Sequence, residues 1–240
     1  MKSSPEKKIF LKKAEKIAFD KVHREKIKFN ISRYDKAVAK GKALYANLNL
    51  ARDRAGYIKY KVINDLEKYL IMFEDNFTRN GGKVIWAADA HEAVDVILQI
   101  ARKNKVKKVV KSKSMTTEEL DLNKFLKKAD IESVETDLGE FIVQQAGQKP
   151  YHIVTPAMHM SKHDIAALYH KKFGTDEKFT PKELTLYTRH LLRKKFVDAD
   201  MGVSGANFLI ADTGSIALTE NEGNAMLSMS YPRIHVAIAG

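Results

Sequence analysis

The spacing of hydrophobic residues changes from helical to strand-like along the chain. Three lysine-rich stretches carry apolar residues every three or four positions, which predicts helices over 5–29, 33–55 and 57–77. Beyond them, short apolar runs alternate with helical patterns, and this alternation is typical of an α/β fold with a largely parallel sheet and flanking helices. The sequence therefore predicts a helical N-terminal region over 1–80 and an α/β domain over 81–240.

The apolar runs and the polar residues between them predict the elements of the second region. The predicted strands span 83–88, 106–110, 131–135, 151–155, 207–211, 215–219 and 234–239. The fifth and sixth are separated by Asp212-Thr213-Gly214, which is typical of a hairpin turn, and 141–147 is predicted to be a short helix. Four side chains that can cap a helix are each followed three positions later by an acid, which is the spacing of a capping box: Asp89, Thr116, Ser161 and Thr180.

Positive charge is concentrated in the first region. The chain has a formal net charge of +12, of which 1–80 contributes +10 (20 Lys/Arg and 10 Asp/Glu) and 81–240 contributes +2 (22 and 20). We expect a solvated helical face, and the alternative is a surface that docks to an acidic partner subunit. No nucleic-acid motif or pattern of interleaved aromatic residues accompanies the charge, so no nucleic-acid partner is expected.

Composition excludes several classes of protein. A hydrophobic content of 44% supports a core, but no apolar run is long enough for a transmembrane segment. The lysine-rich N-terminus is not a secretory signal, so we expect a cytoplasmic protein. The absence of cysteine excludes disulfides and any cysteine-ligated zinc or iron–sulfur cluster in this chain. Only His159 and His163 have i,i+4 spacing, and no metal site is predicted.

Polar clusters follow two of the predicted strands. Lys111-Ser112-Lys113-Ser114 comes after the second strand, and Glu135-Thr136-Asp137 closes the third. Ligands of open α/β sheets bind beyond the carboxyl ends of the strands, so these residues are candidates for binding a small carboxylate or phosphate.

Two glycine-containing segments are candidates for the same site. Ser204, Gly205 and Asn207 lie in one, and Thr213, Gly214 and Ser215 lie in the other. Free amides in such loops can surround an anion, and ordinary turn chemistry is the alternative. We expect these segments to converge with Lys111 and Lys113, although the pattern is neither a P-loop nor a dinucleotide fingerprint.

A third cluster, Glu220-Asn221-Glu222-Gly223-Asn224, directly follows a predicted strand. Glu220 and Glu222 are candidates for acid–base or nucleophilic chemistry, and Asn221 and Asn224 are candidate ligand-binding amides. The alternative is a polar loop that closes a strand end.

Several of these segments together resemble the LUD-domain family, and within it the iron–sulfur subunits of L-lactate utilisation complexes. The resemblance extends from Ala55 to the last residue and is specific because several motifs occur in order. They are Lys111-Ser112-Lys113-Ser114-Met115, Glu119-Leu120-Asp121-Leu122-Asn123, Glu135-Thr136-Asp137-Leu138-Gly139-Glu140, His152-Ile153, Pro156-Ala157 and the run from Asp200 to Asn224.

The resemblance implies a fold of the NagB/RpiA/CoA-transferase type and a component of a complex that oxidises lactate to pyruvate. It also implies 4Fe–4S clusters held by a cysteine-rich module downstream of Gly240, with other subunits of the complex as partners. We therefore expect a chain that ends before that module, and a natural stand-alone LUD protein is the alternative. Two other functions stay open: a transferase of acyl or phosphosugar groups that uses Glu220 or Glu222, by analogy with the nucleophilic glutamate of CoA transferases, and a scaffold that only binds subunits.

Overall fold

The computed structural model describes residues 4–240 and contains a helical N-terminal region followed by an α/β domain. The N-terminal helices are α1 (Pro5–Ala18), α2 (Lys21–Lys42), α3 (Leu48–Asn64) and α4 (Leu66–Arg79). The later helices are α5 (Ala90–Lys103), α6 (Met115–Glu119), α7 (Leu122–Lys128), α8 (Leu138–Gln145), α9 (Lys162–Phe173), α10 (Pro181–Val197) and α11 (Asn224–Ser230). The strands are β1 (Lys108–Lys111), β2 (Glu132–Glu135), β3 (Met201–Gly205), β4 (Phe208–Ile210), β5 (Ser215–Ala217) and β6 (Ile234–Ile238).

Four strands form a parallel sheet in the order β2-β1-β3-β6, which confirms the predicted α/β architecture. Val109 of β1 lies opposite Ser133 of β2 on one side and Met201 of β3 on the other. All four carboxyl ends therefore meet at one edge of the sheet, where ligands of such folds bind. Strands β4 and β5 form the predicted hairpin as a separate antiparallel pair.

The core has two parts, one on each face of the sheet. Val109 and Val110 are adjacent in β1, so their side chains point to opposite faces. Val109 packs with α5 and α7, through residues such as Leu98 and Leu126. Val110 packs with α8, α9 and α10, in a cluster that includes the buried Tyr169. Helices therefore cover both faces and fix the sheet edge that carries the polar segments.

From residue 4 onward, the N-terminal region contains four helices where the sequence predicted three. The side chain of Asp20 accepts a hydrogen bond from the backbone N–H of His23 and starts α2, and Asn47 does the same for Leu50 at the start of α3. These caps break the predicted stretches at positions that hydrophobic spacing does not reveal. None of the helices within residues 4–240 is long and apolar enough to cross a bilayer.

Two predicted strands were wrong. Segment 83–88 pairs with no strand among residues 4–240, and its Trp86 ring N–H donates to Glu74 at 2.9 Å. Segment 151–155 is a series of bends in which a ring nitrogen of His152 accepts backbone N–H groups from Val154 and Thr155. The bonds of His152 to nearby backbone N–H groups compete with a strand ladder. Conversely, β3 was not predicted because two glycines weaken its pattern.

The predicted helix starts at Asp89, Ser161 and Thr180 are confirmed, and each side chain accepts from a backbone N–H of the first turn. The predicted start at Thr116 was wrong. Ser114 is the cap, because its hydroxyl accepts from the backbone N–H of Thr117 at 3.3 Å. Asp121 adopts a left-handed conformation with φ 52° and divides the expected helix into α6 and α7.

Candidate functional site

A cavity of about 300 Å³ lies at the carboxyl ends of β1 and β3. The loop after β1, the segment after β3 and the loop between β5 and α11 form its walls. Nine candidate residues line it, namely Ser112, Lys113, Ser114, Asp137, Gly205, Asn207, Glu220, Asn221 and Asn224. Residues that the sequence analysis did not select as ligand contacts also line it: Met115, Thr116, Ile153, Ala206, Leu218, Thr219 and Ala225.

Ser112, which lines the cavity, carries an unsatisfied polar group. Its backbone N–H donates to the carbonyl of Val203 at 2.9 Å, which continues the pairing of β1 with β3. Its side chain is buried, and its Oγ has no hydrogen-bond partner within residues 4–240. A buried hydroxyl without a partner costs about 1–3 kcal/mol, so a ligand that bonds to it gains affinity.

Lys113 places one positive charge in the cavity, and Asp137 holds it. The Lys113 ammonium lies 3.0 Å from Oδ2 of Asp137. The other oxygen of Asp137 accepts the backbone N–H of Glu140 at 3.0 Å and so caps α8. Because an ammonium group has three donors, Lys113 can bind a ligand oxygen while keeping its bond to Asp137.

Asn207 and Asn224 join the walls of the cavity to one another. Oδ1 of Asn207 accepts the backbone N–H of Thr219 at 2.7 Å, which ties the segment after β3 to the end of the hairpin. This bond leaves the NH2 group of Asn207 as a donor at the wall. Nδ2 of Asn224 lies 3.4 Å from the hydroxyl of Thr136 and connects the start of α11 to the end of β2.

The two candidate catalytic carboxylates both bind backbone N–H groups. Glu220 lines the cavity and accepts from Ala225 at 2.6 Å and from Met226 at 3.3 Å, so it stabilises the start of α11. Glu222 is not among the lining residues and accepts from Leu138 at 3.1 Å, at the start of α8. Burial, and then the charge of Asp137, raise the pKa of Glu222. This geometry suits closure of the loop better than nucleophilic attack.

Lys111 and Glu135, both candidate ligand contacts, form a buried ion pair behind the cavity wall. Their charged atoms are 2.6 Å apart, and Lys111 is fully buried. The side chain of Asn123 bonds to both, at 3.2 Å from Lys111 and 2.7 Å from Glu135, and a carboxylate oxygen of Glu118 lies 3.6 Å from Lys111. The pair therefore anchors the ends of β1 and β2 and does not line the cavity.

Sequence reasoning missed Glu140, a third carboxyl group in this buried cluster. Burial, and then the charge of the neighbouring Glu135, raise the pKa of Glu140 to about 9. Glu140 is consequently protonated at neutral pH. Its place in the first turn of α8, three positions after the capping Asp137, was the signal that could have identified it.

The remaining candidates lie elsewhere. The hydroxyl of Thr136 donates to the carbonyl of Lys111 at 2.7 Å, and Oγ of the buried Ser204 lies 2.8 Å from Nε2 of His235. The structure places the hairpin turn against α4, where Asn80 donates to the carbonyl of Thr213 at 2.8 Å. Thus Thr213, and with it Gly214 and Ser215, are absent from the cavity lining.

The residues of this chain do not fit an iron–sulfur cluster. Such a cluster is held by cysteine thiolates, and the sequence contains no cysteine. Within residues 4–240, no group of three or more His, Asp or Glu side chains could hold a metal ion. No step of a reaction is therefore assigned to a cluster in this chain.

Comparisons with known proteins agree with the motifs around the cavity. The family model described as LUD domain matches residues 70–240. The Escherichia coli K12 protein named "Uncharacterized electron transport protein YkgF" is 42% identical over 189 residues, which cover 79% of this chain and 40% of the relative. "Lactate utilization protein B" of Bacillus cytotoxicus is 41% identical over 207 residues, covering 82% and 44%, and that of Bacillus pumilus is 43% identical over 190 residues, covering 79% and 40%.

These matches cover most of this chain but less than half of each relative. The chain spans about two-fifths of the length of these curated relatives. No solved structure matches it significantly. The family match covers well over half of the chain, including every residue that lines the cavity. The chain therefore belongs to the LUD-domain family.

Proposed function

We propose that this chain is the LUD portion of an iron–sulfur subunit in a complex that oxidises L-lactate to pyruvate, and that its cavity binds a small monocarboxylate. The relatives named lactate utilization protein B support the first part. One observation carries the second part: Ser112, whose buried hydroxyl has no hydrogen-bond partner within residues 4–240, lines the same cavity as Lys113.

The cavity is large enough for a small ligand, and its charge disfavours a phosphate more than a monocarboxylate. Its volume of about 300 Å³ is at the lower end of the range of about 300–1,000 Å³ for small-molecule pockets. The charged side chains in its lining are Lys113, Asp137 and Glu220, whose charges sum to −1 when all are ionised. A phosphate dianion would add two negative charges to this set, whereas a monocarboxylate adds only one.

We assign the following roles to the residues. Ser112 and Lys113 donate to the ligand carboxylate, and Asp137 fixes the position of Lys113. The NH2 group of Asn207 donates to a second ligand oxygen. Glu220 and Glu222 hold the loop closed through their bonds at the starts of α11 and α8. Electrons from lactate would leave through clusters held by cysteines outside this chain.

The transferase alternative receives less support. A nucleophilic glutamate needs an oxygen free to attack a thioester. Both oxygens of Glu220 accept backbone N–H groups, and the carboxylate of Glu222 points to the start of α8. Attack by Glu220 would first have to break these bonds, and Glu222, which has one bonded oxygen, lies outside the cavity lining.

The experiment assembles the full-length protein with the other subunits of the complex and measures L-lactate-dependent reduction of an artificial electron acceptor. The variants Ser112→Ala and Lys113→Met are expected to lower the rate at least about tenfold, which corresponds to about 1.4 kcal/mol of transition-state stabilisation. Matched controls are Ser230→Ala and Lys195→Met, which lie outside the cavity lining. Iron content and assembly are measured for every variant. Activity within about twofold of the parent in correctly assembled Ser112→Ala and Lys113→Met would refute the role of the cavity.

A further inference from the structure

Helices α1, α2 and α3 bury none of their side chains. A helix of a soluble protein normally packs its apolar stripe against a core. Here, large apolar side chains point into solvent along all three helices, and Phe10, Tyr57, Tyr60 and Ile63 are each about two-thirds exposed or more (66–71%). An exposed apolar surface of this extent is typical of an interaction site.

Nearly all of the net charge of the protein lies on the same helices. Residues 5–64 contain 17 Lys/Arg and 6 Asp/Glu, a net charge of +11 out of +12 for the whole chain. The α/β domain is therefore close to neutral, and the basic side chains surround the exposed apolar ones. A surface with this pattern complements an acidic rim around an apolar centre.

Contacts with the α/β domain hold α2 in place. Lys26 of α2 pairs with Asp164 at 2.6 Å, and the ring of His23 bonds to the hydroxyl of Tyr151 at 2.8 Å. One turn further along α2, the side chain of Asn30 donates to the carbonyl of Met158 at 2.8 Å. One side of α2 is thus attached to the domain, which leaves its other side free for a partner.

We propose that α1, α2 and α3 form a docking surface for a partner protein with an acidic and apolar contact face. We identify the partner as another subunit of the lactate-oxidising complex, and this identification rests on the proposed function. The surface itself follows from exposure and charge and needs no assumption about the reaction.

The geometry favours a protein over a membrane or a second copy of this chain. At 3.6 residues per turn, Tyr57 and Tyr60 lie on one side of α3, and Ile58, which is 61% exposed, lies on another. A bilayer surface covers only one side of a helix, whereas a protein partner can contact several sides. A second copy would bring a charge of +11 against a charge of +11, which opposes association.

The test measures binding between the full-length protein and the purified other subunits of the complex by sedimentation velocity. The double variants Tyr57→Ser/Tyr60→Ser and Arg52→Glu/Lys59→Glu are expected to weaken binding at least about tenfold. The matched controls Leu186→Ser and Lys171→Glu change exposed residues of the α/β domain and are expected to bind like the parent. Raising the salt from about 50 to about 500 mM is expected to weaken binding of the parent, because it screens charge.

Three results would overturn the docking proposal. The first is unchanged binding in both double variants. The second is that the protein binds vesicles of phosphatidylcholine and phosphatidylserine, or associates with itself, and that both double variants abolish this association while subunit binding persists. The third is strong hydrogen-exchange protection of α1 to α3 in the isolated full-length protein, which would assign the surface to another part of the same polypeptide. Lactate oxidation is measured in parallel, so an inactive complex that still assembles through these helices would refute the proposed function alone.

Discussion

Lys111 and Glu135 face each other across the register of two parallel strands, and their charged atoms are 2.6 Å apart in the protein interior. Both lie at the last position of their strand. Removing two charges from water is costly, so we infer that the pair chiefly specifies the register of β1 and β2. This register places Ser112 and Asp137 at the same edge of the sheet.

Breaking this pair is expected to destabilise the fold. The variant Lys111→Met leaves the carboxylate of Glu135 buried without its partner and is expected to lower the free energy of unfolding by about 3–5 kcal/mol. The matched control is Lys195→Met, which removes a partly exposed pair with Glu132 and is expected to cost less than about 1 kcal/mol. Urea unfolding measures both. Equal effects would contradict the interior role of Lys111.

The raised pKa of Glu140 predicts how stability depends on pH. The unfolded carboxyl group has a pKa near 4.5, and the folded one has a pKa of about 9. Between these values folding takes up a proton, so the free energy of unfolding of the parent falls as the pH rises. Glutamine cannot ionise. The variant Glu140→Gln is therefore expected to lose less stability than the parent between about pH 5 and about pH 8.

Glu183 is expected to make stability depend on pH in the opposite direction. The backbone N–H of Thr180 lowers the pKa of Glu183, so the stability that its charge provides is present above pH 4.5 and is lost as the pH falls through the folded pKa. The variant Glu183→Gln is expected to be less stable than the parent at neutral pH and to approach it in acid. Thermal unfolding across the pH range measures both variants, and parallel curves for parent and Glu140→Gln would show that Glu140 is ionised.

Substitution of glycine by alanine is expected to change the free energy of unfolding in opposite directions at two positions. A Cβ at Gly202 of β3 would overlap the carbonyl oxygen of Ser228, so Gly202→Ala is expected to cost about 1–3 kcal/mol or more. Gly56 lies within α3, and apart from its chain neighbours and its own helix backbone no atom of residues 4–240 lies within 4 Å of a Cβ added there. Gly56→Ala is therefore expected to stabilise the protein by about 0.5–1 kcal/mol. Chemical denaturation measures both changes, and a neutral Gly202→Ala would disprove the close approach of α11 to β3.

The geometry of Glu220 predicts that it does not act as a nucleophile. After incubation with acyl-CoA thioesters and borohydride trapping, intact mass is expected to show no adduct, because Ala225 and Met226 bind its oxygens. A mass shift that disappears in Glu220→Gln or Glu222→Gln would instead support the transferase alternative.

Much of the fold could be predicted from local pattern, because local chemistry determines it. The side chains of Asp89, Ser161 and Thr180 begin helices through bonds within the first turn. The prediction of a strand at 83–88 was wrong because an apolar run forms a strand only where a partner strand exists, and the presence of a partner depends on the tertiary fold. Strand β3 was missed for the converse reason: its neighbours β1 and β6 stabilise a segment with two glycines.

The sequence predicted where on the sheet the candidate site lies, but it did not predict which residues line the cavity and which are buried behind its wall. The rule that ligands bind at the carboxyl ends of strands selects Ser112 and Asp137, and the glycine-containing segment adds Asn207; the structure brings all three to one cavity. The rule does not distinguish buried residues from those that line the cavity, so it selected Lys111 as readily as Lys113. Lys111 is the last residue of β1 and bonds to Asn123 and Glu135 in the interior, whereas Lys113 lies in the loop beyond the strand and lines the cavity.

Isothermal titration of the purified protein with L-lactate and pyruvate tests the central claim most directly. We predict saturable binding at one site, weakened at least about tenfold in Ser112→Ala and in Lys113→Met, or about 1.4 kcal/mol in each case. The controls Ser230→Ala and Lys195→Met are expected to bind like the parent, and inorganic phosphate is expected to bind more weakly than lactate. The absence of saturable binding of either carboxylate, or equal affinity in the parent and Lys113→Met, would contradict the assignment of this cavity.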